Sequence, residues 1–146
     1  VILSWLAKQV LERVMARLRA GDIRLALALY ANDVEMRFPG DNSWSGVYRG
    51  KKELKPWLER FARVGIQIYP DQVVAAGPPW NTKVFIRGHD YVKSPEGQTV
   101  YENRFVIWAL LRWGRIVDEE TYEDTQKPKA LDAWLEAHQP QLALAS

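Results

Sequence analysis

Residues Val84–Trp108, VFIRGHDYVKSPEGQTVYENRFVIW, decide the fold. Apolar and polar side chains alternate on both sides of Ser94-Pro95-Glu96-Gly97, a run of turn formers. The stretch therefore reads as two β-strands around a tight turn. Arg87, His89, Asp90, Glu102, Asn103 and Arg104 interrupt its apolar frame. Neighbouring side chains on a strand point to opposite faces, so His89 and Asp90 cannot form a base–orienter dyad with each other. Either Arg87, His89 and Tyr91 face inward, or Ile86, Gly88, Asp90 and Val92 do, and one residue of slip exchanges the sets. On the second strand, Tyr101, Asn103, Phe105 and Ile107 form one set, and Glu102, Arg104, Val106 and Trp108 the other. The reading adopted places Asp90 inside, with Gly88 making room for a ligand and Asn103 opposite.

Working outward, the period of two runs from Gly65 to the end of the sheet. Ile66–Tyr69 with Gln72–Ala76 reads as one interrupted strand, followed by strands over Lys83–Lys93, Gln98–Trp113 and Ile116–Asp124. A strand of sixteen residues would be about 53 Å long, so it must bend or bulge. Upstream the period is helical. Leu3, Leu6, Val10, Val14 and Leu18 form the apolar stripe of a first helix that Gly21 stops. Asp22 opens a short second helix through Tyr30. Val34, Met36 and Phe38 alternate in a strand ended by Pro39-Gly40. PGDNSWSGVYRGKK reads as an ordered loop, and a third helix over Lys51–Val64 carries Leu54, Trp57, Leu58, Phe61 and Val64, with Pro56 an awkward guest. Pro128 precedes a terminal helix with Leu131, Trp134 and Leu135.

Composition narrows the function classes. With 146 residues and 47% apolar residues, the chain has the size and content of one globular domain, read as a single unit over residues 1–146. A formal charge of +2 from 20 basic and 18 acidic residues, interspersed, argues against a nucleic-acid surface. The absence of cysteine excludes thiolate chemistry and Cys-based zinc sites, and two distant histidines offer no ligand spacing. No metal and no cofactor are expected. Lys8, Glu12 and Arg13 break the N-terminal apolar run short of the ~20 residues of a membrane span, and it lacks the marks of a signal peptide. A cytoplasmic protein without membrane attachment is the expectation.

Helices preceding an antiparallel meander give an α+β domain: helices packed on a strongly curved, mainly antiparallel sheet that forms a cone with an internal cavity. Three pieces carry a family resemblance: LERVMARLRAGDIRLALALYANDVEMRFPG, SGVYRGKKELKPWLERF and VIWALLRWGRIVDEETYEDTQK. With them the chain resembles the SnoaL-like superfamily, the cone shared by ketosteroid isomerase, limonene epoxide hydrolase, scytalone dehydratase and nuclear transport factor 2. That fold hosts several chemistries and also non-enzymes. Likeness to ketosteroid isomerase puts the base at Phe38, the oxyanion tyrosine at Val14 and the protonated aspartate at about Asn103. Only the last keeps a hydrogen-bonding group, which argues against that reaction. Likeness to limonene epoxide hydrolase puts the second member of its Arg-x-Asp pair at Asp90, the arginine at Gly88 and the final aspartate at Thr121. Its water-positioning tyrosine and asparagine fall on Met36 and Phe38. The late-strand acid of SnoaL-type cyclases has its nearest counterpart in Glu119.

The expectation is thus an apolar cone taking a small hydrophobic, partly oxygenated organic molecule. Its candidate chemical groups are Asp90, Glu119, Asn103 and His89; its candidate walls are Tyr101, Phe105, Phe38, Met36, Trp57 and Thr121. A carboxylate walled in by apolar groups has a raised pKa and can exchange protons near neutral pH, and Asn103 would donate to an oxyanion. The resulting reaction is cofactor-free isomerisation, cyclisation or epoxide hydration. Against it stands a plain ion pair of Asp90 or Glu119 with Arg87 or Arg104, and for His89 a structural hydrogen bond. Trp108, Trp113 and Val106 are expected to cover a homodimer interface on the outer sheet face. The alternative function is a non-catalytic binding or interaction module.

Overall fold

The computed structural model describes residues 1–143. The elements are α1 (Ile2–Arg19), α2 (Arg24–Leu29), β1 (Tyr30–Phe38), β2 (Gly46–Arg49), α3 (Gly50–Val64), β3 (Gln67–Ala76), β4 (Thr82–Lys93), β5 (Thr99–Arg112), β6 (Arg115–Glu123) and α4 (Gln126–His138). One sheet contains all six strands in the order β2-β1-β6-β5-β4-β3. Every pairing is antiparallel except β1 with β6. The architecture is the α+β one read from the sequence, with the helices on the concave face of a curved sheet.

Register shifts break four of the five pairings: near Tyr30–Glu35, Pro70–Gln72, Val92–Lys93 and Leu110–Leu111. An unpaired residue in one strand bends it and increases its twist, which is how strands of 12 and 14 residues wrap around the helices instead of projecting past them. The interrupted strand of the sequence reading is the β3 bulge, where Asp71 has no partner. The segment read as a loop before the third helix contains a short edge strand, β2, paired with β1. Four residues beside glycine and turn formers carry too little alternation to show as a strand.

α1 lies along β3. Ser4 near its start exchanges hydrogen bonds with Ala75 (Oγ to the carbonyl, 3.2 Å; backbone N–H to Oγ, 2.9 Å), and Arg19 at its end donates to the Ile68 carbonyl at 2.8 Å. Its apolar stripe has two fates: Val14 and Leu18 are buried, whereas Leu3, Leu6 and Val10 stay 40–49% exposed. α3 ends at Gly65, whose φ of 81° is the left-handed cap that a side chain would strain. Pro56 sits inside α3 on its exposed side, where the carbonyl it leaves unpaired is free to meet water. Pro128 is the third residue of α4, a first-turn position that needs no N–H, so the helix starts before it and not after it. Met36, Leu54, Leu131 and Leu135 are at most 1% exposed and belong to the core, each contributing about 2 kcal/mol by burial.

Candidate functional site

The concave sheet and the helices enclose a cavity of about 640 Å³. Its lining residues fix its direction. Leu3, Leu6, Val10, Pro79 and Trp113 line it while remaining exposed, so they mark the mouth. There the β3–β4 and β5–β6 turns are tied together by the Trp113 N–H donating to the Pro79 carbonyl at 2.7 Å. Ile68, Asp90 and Tyr101, all buried, line the opposite end and form the floor. Phe38, Trp57, Phe61, Phe105 and Ile107 are among the side chains that make up the wall.

Carboxyl groups reach this apolar space at two levels. Midway along β6, Glu119 is buried and accepts the Tyr30 hydroxyl at both carboxylate oxygens, 3.0 and 3.1 Å away. Burial raises the Glu119 pKa to about 7, partly offset by that hydrogen bond. The Tyr30 hydroxyl is pushed well above its ordinary value, first by burial and then by Glu119, so it stays a donor. Four residues further on, about 13 Å at the rise of a strand, Glu123 projects from the same face of β6. It pairs with Phe105 of β5, whose partner on β4 is Gly88, two residues from Asp90, and it lines the cavity together with Asp90 and Tyr101. Asp90 is 6% exposed, and its Oδ1 has no hydrogen-bond partner; neither does Glu123 Oε2. Burial raises Asp90 to about 7, opposed by the Tyr101 hydroxyl, while burial and then the Asp90 charge raise Glu123 to about 8. Both levels thus hold acids that titrate in the neutral range, the range useful for proton transfer.

The register settles which face of β4 is inside. Asp90 pairs with Asn103 and Gly88 with Phe105, so Asp90 points into the cone, and neither it nor Glu119 forms an ion pair with Arg87 or Arg104. The other candidates divide. Tyr101, Phe105, Phe38, Trp57 and Thr121 line the cavity together with Asp90 and Glu119.

Five of the sequence assignments need correction. His89 lies on the outer face, its Nδ1 2.8 and 2.9 Å from the Asp71 carboxylate oxygens and its ring stacked on Tyr69. The bulge that displaces Asp71 supplies that partner. Met36 is core, not wall, because it is 1% exposed and does not border the cavity. Asn103 is buried, but its Nδ2 donates to the Asp124 carbonyl at 3.0 Å and it does not line the cavity, so it is no oxyanion donor there. Nor does Gly88 make room for a ligand. A Cβ on it would lie closer than 3.0 Å to the Tyr69 carbonyl oxygen and to the Phe105 ring, which already fill that space. Trp113, expected on the outer sheet, instead stands at the mouth beside Trp80.

Two site residues escaped the sequence reading. Glu123 follows from continuing the alternation Glu119, Thr121 along β6. Tyr30 was assigned to the end of a helix, whereas it begins β1. The acidic run itself is split by alternation: Asp118 and Glu120 face outward and both bind Arg37, at 2.8 and 3.0 Å.

The SnoaL-like domain family matches residues 11–119, about three-quarters of the chain. The chain belongs to the SnoaL-like family. Among solved structures, an NTF2-like protein of unknown function from Burkholderia pseudomallei is 21% identical over 81% of this chain and 90% of its own, with a TM-score of 0.66. PrhC from Penicillium brasilianum is 15% identical over 92% of this chain and 89% of its own, with a TM-score of 0.70. These two likenesses concern the fold. TerC, co-crystallized with polyporic acid, is 25% identical over 81% of this chain and 91% of its own, with a TM-score of 0.65. A comparison with curated proteins gives no match. Within the SnoaL-like cone, the ketosteroid-isomerase positions Val14 and Phe38 carry no polar group, and the acids that do enter the cavity are Asp90, Glu119 and Glu123. No described helix of this SnoaL-like chain is long and apolar enough to cross a membrane.

Proposed function

We propose that this SnoaL-like protein binds a small, mostly apolar, partly oxygenated organic molecule in its cone and performs cofactor-free proton transfer on it. The reaction class is isomerisation, cyclisation or epoxide hydration. The observation that carries this reading is Glu119: a buried carboxyl that opens onto a 640 Å³ apolar cavity and is oriented by Tyr30. A group so placed takes a proton from a bound molecule or gives one to it without a metal or a diffusible cofactor. The co-crystallization of TerC with polyporic acid supports an organic ligand for the cone. Of the known SnoaL-like roles, only the late-strand acid and Asp90 are retained here.

The test is a panel of isomerisable ketones, cyclisable polyketide-like compounds and epoxides. On any substrate turned over, Glu119→Gln should lower kcat by about 100-fold or more, with KM changed much less. Since Glu119 titrates near 7, kcat should rise through that pH if it acts as base and fall if it acts as acid. Full activity in the Gln variant would sink the assignment. One observation favours a second reading, a non-catalytic binding module: with Asn103 bound to Asp124, no side-chain amide among the described residues lines the cavity as an oxyanion donor. Tight binding of panel members without turnover would decide for it.

The outer sheet face supports a homodimer. Val74, Phe85, Val106 and Tyr122 are 39–56% exposed on it, and Phe85 pairs with half-buried Trp108. Contiguous exposed apolar groups on a sheet face are what a partner covers. Light scattering should therefore give twice the chain mass, and Val106→Glu together with Phe85→Glu should return it to one. A wild-type monomer at micromolar concentration would contradict the dimer.

A further inference from the structure

The cavity has a sign. Three carboxyl groups line it, those of Asp90, Glu119 and Glu123, and among the described residues no lysine, arginine or histidine does. Glu119 has the Tyr30 hydroxyl. The two floor acids have less. Asp90 Oδ1 and Glu123 Oε2 are both sealed from solvent without a donor, and the two carboxyl groups sense each other's charge. A buried acceptor without a donor is costly, and two buried like charges without a counter-charge are more so. Protonation relieves part of that cost; when both groups are ionised, the pair is matched by something that brings both hydrogens and positive charge.

We infer that the floor of the cone is a receptor for the protonated nitrogen of an organic amine, held between Asp90 and Glu123 while its apolar body fills the aromatic cone above. This rests on the reading of the cavity as a ligand site. An ammonium group donates several hydrogen bonds from one atom, so it can serve both carboxyl groups at once; an alcohol has one proton to give and leaves the second carboxyl unmatched. Tyr101 and Phe105 line the same end, and aromatic faces attract a desolvated cation. A divalent metal fits less well, since the described residues contain no group of three ligating side chains and Ca²⁺ takes six or more oxygens. An anionic head group would meet carboxylates alone. Glu119, about 13 Å along the strand, lies beyond reach of the same nitrogen and remains available to act on the other end of the molecule.

Three probes with one body and different heads test this: phenylbutylamine, phenylbutanol and phenylbutanoate, titrated into the intact chain at about pH 8 and followed by tryptophan emission. The amine should bind about tenfold or more tighter than the alcohol, with the carboxylate weakest. Asp90→Asn and Glu123→Gln should each bring the amine to within about threefold of the alcohol, and retained binding of the alcohol is a readout that a misfolded variant would not give. An alcohol that binds as tightly as the amine, or an amine preference that survives both substitutions, overturns the inference and leaves the cavity as a ligand site. Failure of all three probes to bind overturns the inference together with that reading.

Discussion

Gly88→Ala is expected to destabilise the fold by about 3 kcal/mol or more, a loss near the upper end for overpacking a core. The position is unusual because its φ is not the issue. An added methyl would collide with the Tyr69 carbonyl oxygen, which is backbone of the neighbouring strand and cannot swing away, and with the Phe105 ring behind it. Denaturant unfolding should show a lower midpoint at an unchanged slope, and thermal unfolding a fall of roughly 10 °C for a chain of this size. If the alanine variant unfolded within about 1 kcal/mol of the parent, the close approach of β3, β4 and Phe105 would be wrong.

The second large effect concerns pH. Asp90 and Glu119 titrate at about 7 and Glu123 at about 8 in the folded chain, against ordinary carboxylate values once unfolded. Their folded pKa values are raised, so the native state holds protons that the unfolded chain has already lost. Stability is therefore fullest below about pH 4 as far as these groups are concerned, and falls as pH rises toward 8. Other groups add their own dependence at the acid end, which makes pH 5 to 9 the informative window. The combined loss should be on the order of 4 kcal/mol, well short of full linkage because buried sites relax and admit water. Asp90→Asn and Glu123→Gln should each flatten the profile and raise Tm at about pH 8, removing a charge that no neighbouring side chain of the floor matches. A Tm that stays level or climbs across this window would mean that the acids are solvated.

Much of this was readable from alternation. Once β4 and β5 were seen to pair, parity alone assigned Tyr101 and Phe105 to the same face as Asp90. Parity does not say what a side chain does when it arrives. Asn103 has the right face and the level of Asp90, and still turns its amide to the Asp124 carbonyl instead of the cavity. Met36 shares its face with Phe38 but sits two residues deeper in the core. Parity with an inward Asp90 already turns His89 outward; its partner Asp71 comes from a bulge whose position depends on how β3 meets β4 and leaves no local mark. Tyr30 lay at a helix-to-strand junction, where a shift of one residue changes the element that carries it.

The wall between inside and outside is one strand thick. On β5, Tyr101, Phe105 and Ile107 look into the cone, while Glu102, Arg104 and Val106 look out, with only the shared main chain between. There is no intervening layer of packing to absorb a displacement. Side-chain changes can therefore be made on either surface independently, but any shift of the β5 backbone is felt on both at once, and a molecule that spreads the strands from within would reshape the exterior in the same movement.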